Sequence, residues 1–502
     1  MEARVGSKGL RLMSLLGRDQ QSLIKSRADV RTIGDEEKPS YPAMLAASGL
    51  CTLIALAPLP FASMDMRIIA VWVLLLSGVL LLTVPQEIGS RDLAFLCGFA
   101  AISLSWVFVV SEQLSETSLL SRRLAAPIWG QTSAVLGEQL SGSISVALNQ
   151  PFFSAGSQIA CLLSMLCGYL VGRNRHTARL LLVSFLGSTL AYAIYGLIAH
   201  SFWPDYLLWH RKYNYLGSLT ATFINPNVAA CYFGAATIGW VLVFAAMGGD
   251  RPSEPPLPWR EWVRSRLHTF SPLRTLGLLA CFAMLSTTML TGSRAGSVLA
   301  LLCLAGALGT YFRRGLQKRG LLWIFPIAAM LLIVGVISIL APMVNRRFGV
   351  QGFFDSGRWQ AYASTMEIIR DFPWLGSGLG TFRWVFPEYR SGDIASYGVW
   401  DQAHNSTLEA AAEMGIPFAL FLGIGWLVSL VVLVRGMLGR NRDAILPTAA
   451  FWIGLLAILH SQVDFPLQVP GFALAICPIL GMGMAQSFSS RANALTHPFN
   501  RS

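Results

Sequence analysis

An all-α, polytopic membrane protein is the fold class that this sequence predicts, and three observations predict it. The 502-residue chain is 54% hydrophobic and only 13% charged, where a soluble globular domain carries about 25% charged residues. Its apolar residues come in blocks of about 17 to 23, the length that crosses roughly 30 Å of hydrocarbon. Its 38 Lys and Arg residues are dispersed over short segments between those blocks, which suits membrane orientation and anionic lipid and excludes nucleic acid as the reason for the +12 charge.

About twelve transmembrane helices are expected, near 43–61, 68–84, 93–110, 153–172, 180–200, 226–247, 275–291, 295–312, 321–343, 416–434, 445–463 and 470–486. Only GSR separates the seventh block from the eighth, which makes that pair a tight helical hairpin. With the N-terminus inside, the inside segments hold 26 of the 38 Lys and Arg. That asymmetry follows the positive-inside rule with an even number of spans. Residues 1–42 carry eight Lys or Arg without the apolar core of a signal peptide. They read as a basic cytoplasmic tail before a membrane domain at 43–488, with a second cytoplasmic tail at 489–502. All eight cysteines fall inside apolar runs and form no CxxC pair, so neither a disulfide framework nor a metal site is expected.

Three outer segments exceed simple connectors: 111–152, 201–225 and 344–415. Within the last, SGRWQAYASTMEIIRDFP repeats Trp359, Tyr362, Met366 and Ile369 at helical spacing before Pro373 stops the run. An amphipathic helix on the membrane or over a cavity is expected there. Span interiors contain almost no ionisable side chains, which counts against an ion-coupled transporter. The polar candidates sit instead at the outer ends of spans.

Arg294, in TGSRAG (291–296), stands at the outer turn of the hairpin. A guanidinium beside a helix N-terminus can hold a phosphate, or it can simply snorkel to lipid headgroups. In WDQAHNSTLEAAAEMG (400–415), Ser406 and Glu409 fit a capping box. His404 would then lie two residues before the cap, where the helix field keeps imidazole neutral, as a general base requires. The same position also suits a histidine that only hydrogen-bonds at a helix start. Asn225-Pro226-Asn227 suits turn and cap chemistry, with Arg211 and Lys212 just upstream. His460 and Asp464, in HSQVDFPLQVPG (460–471), end another span. GSGLG (376–380) lacks the nucleotide-binding pattern and reads as a flexible turn.

Taken in order, these pieces resemble the O-antigen ligase and O-antigen polymerase family. The matching elements are TATFINPN (220–227), SRAG (293–296), GRWQAY (357–362), PWLGSGLGTF (373–382) and AHNSTLEAAAEMG (403–415), with HSQVDFPLQ (460–468) as a further one. The resemblance runs from about 210 to 470. It implies an inverting, metal-independent glycosyltransferase of the bacterial inner membrane with a long, partly helical periplasmic loop, both termini cytoplasmic and no cofactor. Such an enzyme moves a glycan from an undecaprenyl-diphosphate carrier to an acceptor sugar hydroxyl, on a growing glycan or on lipid A core.

On this mapping His404 takes the acceptor proton and Arg294 holds the diphosphate. Arg358 binds substrate or fixes the loop, and Asn225, Asn227 and Asn405 accompany the site. Many relatives have arginine where this chain has Ser218. Arg211, Lys212 or one of Arg346, Arg347 and Arg383 would then supply the second diphosphate contact. A flippase for lipid-linked saccharide and a non-catalytic component of a polysaccharide export complex are the competing readings.

Overall fold

The computed structural model describes residues 39–83, 88–247, 271–318, 356–392, 394, 400–440 and 443–488. Three helices come first: α1 (Tyr41–Leu56), α2 (Met66–Leu82) and α3 (Ser90–Leu114). Two short ones, α4 (Leu119–Arg123) and α5 (Pro127–Leu136), precede the long α6 (Gln150–Gly172) and α7 (Arg175–Phe202). A small antiparallel hairpin, β1 (Tyr206–Leu207) and β2 (His210–Arg211), pairs Tyr206 with Arg211. The chain continues through α8 (Pro226–Met247), α9 (Pro272–Leu290) and α10 (Arg294–Lys318). A loop layer of α11 (Ser356–Asp371), α12 (Phe382–Tyr389) and α13 (Ser406–Met414) leads into α14 (Ile416–Gly439), α15 (Ile445–His460) and α16 (Pro470–Phe488).

Eleven of the twelve expected spans coincide with these helices, and the remaining one, 321–343, lies outside the described residues. Among the described residues, eight helices are long and apolar enough to cross a membrane, while α1, α2 and α15 are apolar but shorter. The chain is therefore an all-α multi-pass membrane protein. Helix starts follow local chemistry: Asn174 caps α7 through the His176 and Thr177 N–H groups, and Ser271 caps α9 just before Pro272.

Packing between spans depends on small residues, because lipid tails are as apolar as leucine and give helices no hydrophobic reason to associate. Gly168 and Gly172, one turn apart on α6, meet Pro478 and Met482 of α16. A Cβ added at Gly168 would stand 2.4 Å from the Pro478 carbonyl oxygen. From the other side, a Cβ at Gly481 would reach 2.2 Å from the Met165 oxygen. This close approach leaves 89% of the α16 span buried, against 11% for α14, whose side chains face outward. Some hydroxyls inside the bundle bond within their own helix, as Thr237 Oγ1 does to Phe233 O at 2.8 Å and Thr287 Oγ1 to Ala283 O at 2.9 Å. Others cross between helices, as Ser184 Oγ does to Cys51 O at 3.1 Å and Tyr192 OH to Ala55 O at 2.7 Å.

The loop layer has its own apolar cluster, which includes Ala361, Ile368, Phe382, Phe386, Ala403 and Ala412. The helix expected from SGRWQAYASTMEIIRDFP is present as α11. Its Ala361, Thr365, Ile368 and Ile369 are buried, whereas Trp359 and Met366 of the expected stripe are exposed.

Candidate functional site

The ends of several helices converge at one rim of the bundle. Backbone bonds join them: Leu219 N donates to Leu290 O, and Ser406 N donates to Ser461 O. At the centre of this rim is Asp464, which follows α15 and is fully buried. Its Oδ2 receives Arg358 Nη2 at 3.2 Å and the side-chain amide of Asn227. Its Oδ1 accepts the Phe465 N–H at 2.9 Å and lies 3.4 Å from His404 Nδ1. Burial alone would raise the Asp464 carboxyl. The neighbouring His404, with the charges of Arg358 and His460, outweighs burial and holds it below its ordinary value. Four separate stretches of sequence thus meet on one carboxylate.

His404 is held from every side. Its ring sits edge-on between Trp400 and Phe465, with centroids 5.4 and 5.0 Å away. Its carbonyl accepts the Tyr362 hydroxyl at 2.9 Å. Its φ of 54° is left-handed, a conformation rare for a residue with a Cβ and one that persists where surroundings over-determine it. Because Nδ1 faces Asp464, the opposite nitrogen, Nε2, is the one left for a substrate.

The expected capping box is corrected by one residue. Asn405, not Ser406, is the N-cap of α13, and its side chain accepts from the Thr407 and Leu408 N–H groups. Its amide also donates to Gln462 O at 2.9 Å. Glu409 does not reach the cap; its Oε2 accepts the Ala403 N–H at 2.7 Å. Asparagine and serine compete closely as caps, and the tether to Gln462 favours Asn405 here.

GSGLG is likewise not a flexible turn. Gly376, Gly378 and Gly380 all take positive φ, and the loop's N–H groups are engaged. Gly380 N and Phe382 N donate to the two carboxylate oxygens of Glu413 at 2.9 Å each. Leu379 N donates to Gln113 Oε1 at 2.9 Å, and the Gln113 amide nitrogen bonds the Leu375 and Glu413 carbonyls. The loop is a ring of backbone donors filled by the protein's own carboxylate. Burial pushes the Glu413 carboxyl up to about 7 against the opposing N–H groups of Gly380, Phe382 and Thr381. Burial, then the charge of Glu413, pushes Glu409 up as well.

Arg294 opens α10 and is exposed. The first turn of that helix is capped by Ser293 Oγ through the Gly296 N–H at 3.2 Å. Gly296 packs so closely that an added Cβ would stand 2.6 Å from Ala230 and 2.9 Å from the His460 ring. Asn225 accepts the Asn227 N–H through its side chain at 2.7 Å and the Ala229 N–H through its carbonyl, which starts α8. Asn227 is then free to point its amide at Asp464.

The cations proposed to stand in at Ser218 separate clearly. Lys212 Nζ donates to the Ser218 carbonyl at 3.3 Å, and Leu219, next in line, bonds the end of α9 four residues before Arg294. Burial lowers the Lys212 ammonium, with the Asp205 charge opposing. Arg211 is exposed on β2. Arg383 lies 3.7 Å from Asp401 and over the Trp384 ring, while Arg346 and Arg347 are outside the described residues. Arg358 also donates Nη1 to Val463 O at 2.6 Å, so both ends of its guanidinium hold the 463–464 stretch.

Sequence placed His460 and Asp464 among the polar candidates at a span end but gave Asp464 no role. Glu409 and Glu413 read as capping and helix-face residues. Compared with known families, residues 279–423 match the model described as O-antigen ligase. That stretch covers under a third of the chain and includes Arg294, Arg358, His404 and Asn405. No curated protein matches the sequence.

Proposed function

We propose that this chain, whose residues 279–423 match the O-antigen ligase model, is an O-antigen ligase-like glycosyltransferase of polysaccharide biosynthesis acting at the rim described above. The donor is a glycan on an undecaprenyl-diphosphate carrier, and the acceptor is a sugar hydroxyl on a growing glycan or on lipid A core. The rim faces the periplasm of an inner-membrane protein with both termini in the cytoplasm. The membrane domain spans 43–488 between the two cytoplasmic tails.

The observation that carries this reading is the His404–Asp464 pair. A carboxylate at Nδ1 fixes the imidazole tautomer and leaves the Nε2 lone pair to accept a proton. The acceptor oxygen attacks the anomeric carbon and gives its proton to Nε2. The bond from that carbon to the diphosphate oxygen breaks, and the diphosphate leaves as an anion. Attack from the face opposite the leaving group inverts the anomeric configuration, without a metal ion. Arg294 and Lys212 supply the positive charge that stabilises the departing diphosphate. Arg358, Asn227, Asn225 and Asn405 hold the rim segments in register, and Arg211 stays at the edge of the donor site.

Purified protein in proteoliposomes, given a lipid-diphosphate glycan and an acceptor saccharide, is expected to form a glycosidic bond of inverted configuration. Movement of the donor across the bilayer without bond formation would contradict the proposal and favour a flippase. Deleting the protein and sizing surface polysaccharides then separates two outcomes. Long chains left off lipopolysaccharide indicate a ligase, and short unpolymerised repeats indicate a polymerase.

A further inference from the structure

His404 stands in a backbone conformation that its own chemistry does not favour, with φ at 54°. Such a residue keeps that conformation only when contacts on both sides impose it. The contacts that do so are specific. On the N-terminal side, the Ala403 N–H is tied to Glu409 Oε2 at 2.7 Å, and both residues are buried. On the C-terminal side, the His404 carbonyl is tied to the Tyr362 hydroxyl at 2.9 Å.

We infer that Glu409 is a positioning residue for His404, acting through the Ala403 N–H, and that Tyr362 completes the same clamp. The inference rests on the proposed role of His404 as base. Glu409 and Glu413 lie four residues apart, on one face of α13. Each carboxylate secures a different piece of the loop layer. Glu413 binds the Gly380 and Phe382 N–H groups, and Glu409 binds the peptide that leads into His404. The tether requires an acceptor and not a charge. Without one, the buried Ala403 N–H loses its partner and His404 is released to relax toward an ordinary φ. Its ring would then move relative to Asp464 and the substrate, and small misplacements of a catalytic group cost on the order of 100-fold in rate.

The test measures transfer kinetics over a donor concentration series, with wild-type protein and His404→Ala beside the variants. Glu409→Leu, which removes the acceptor, is expected to lower kcat on the order of 100-fold while the donor KM stays within about twofold. Glu409→Gln keeps an oxygen for Ala403 and is expected to stay within about fivefold of wild type. Tyr362→Phe is expected to lower kcat about tenfold, again without moving KM. A role in folding alone would not give this split or the rescue by Gln. The inference is overturned if Glu409→Leu keeps kcat within about twofold, if donor KM rises as kcat falls, or if Gln is no better than Leu. Should Glu409→Leu fail to fold, a wild-type kcat in Tyr362→Phe overturns it instead. A wild-type rate in His404→Ala would sink the base assignment and this inference together. Loss in His404→Ala beside an unaffected Glu409→Leu would sink this inference alone.

Discussion

The packed bundle satisfies neutral hydroxyls largely on backbone carbonyls, whereas the rim gathers charged and amide side chains around one carboxylate. Inside the bundle, hydroxyls such as Thr237 and Thr287 bond three or four residues back in their own helix, and glycines bring α6 and α16 into backbone contact. At the rim, side chains bond across long stretches of chain, as Arg358 and Asn227 do to Asp464 and Gln113 to Leu379. Spans must satisfy their polar groups within the bundle, because lipid offers no partner. The rim holds charged groups at fixed positions with donors from several segments. Bundle packing is expected to set accumulation in the membrane, and the rim is expected to set the transfer rate.

The largest effect is expected from Asp464→Ala. It removes the carboxylate that Arg358 and His404 share and frees His404, so transfer should fall at least about 1,000-fold. Breaking a buried ion pair by removing one partner costs about 3–5 kcal/mol, so the unfolding temperature should fall as well. The protein should still accumulate in membranes, where antibody detection would find it. Gly168→Leu is the bundle counterpart. Its side chain has no room against Pro478, and overpacking of this kind costs about 1–3 kcal/mol or more. Membrane accumulation should drop severalfold, while the transfer rate per folded molecule stays near wild type. A reversed outcome for the pair would erase the division between the regions.

These two regions were also unequally legible in the sequence. Span positions followed from apolar length alone, while the caps at Asn174 and Ser271 came only with the structure. Only the block at 321–343 lies beyond the described residues. The rim was legible as an ordered set of motifs, not as physics. Nothing local distinguishes Asn405 from Ser406 as the cap, since the deciding bond goes to Gln462, 57 residues on. GSGLG looked flexible because the donors and acceptors that lock it, Gln113 and Glu413, are remote in sequence.

A subtler contrast concerns pH. Burial raises Glu413 to about 7, so its contribution to stability is full below the unfolded carboxyl range and is lost as pH rises through about 7. Asp464 is shifted the other way, and its contribution is lost only as pH falls below the ordinary carboxylate range. The unfolding temperature should therefore decline by a few degrees between about pH 5 and pH 8. Glu413→Gln should flatten that decline. A slope unchanged by the substitution would detach the loop layer from this titration.

The smallest expected effect separates two neighbouring cations. Lys212→Ala should raise the donor KM about tenfold, as expected for the loss of one charge-assisted contact, while Arg211→Ala should stay within about twofold. Equal effects would remove Lys212 as the partner of Arg294.

The central claim, that the rim performs base catalysis at His404, is tested most directly by the transfer rate of purified His404→Ala in proteoliposomes at saturating donor. The account predicts that the variant folds and inserts normally, and that transfer falls by about 100- to 10,000-fold. Transfer at the wild-type rate would contradict it.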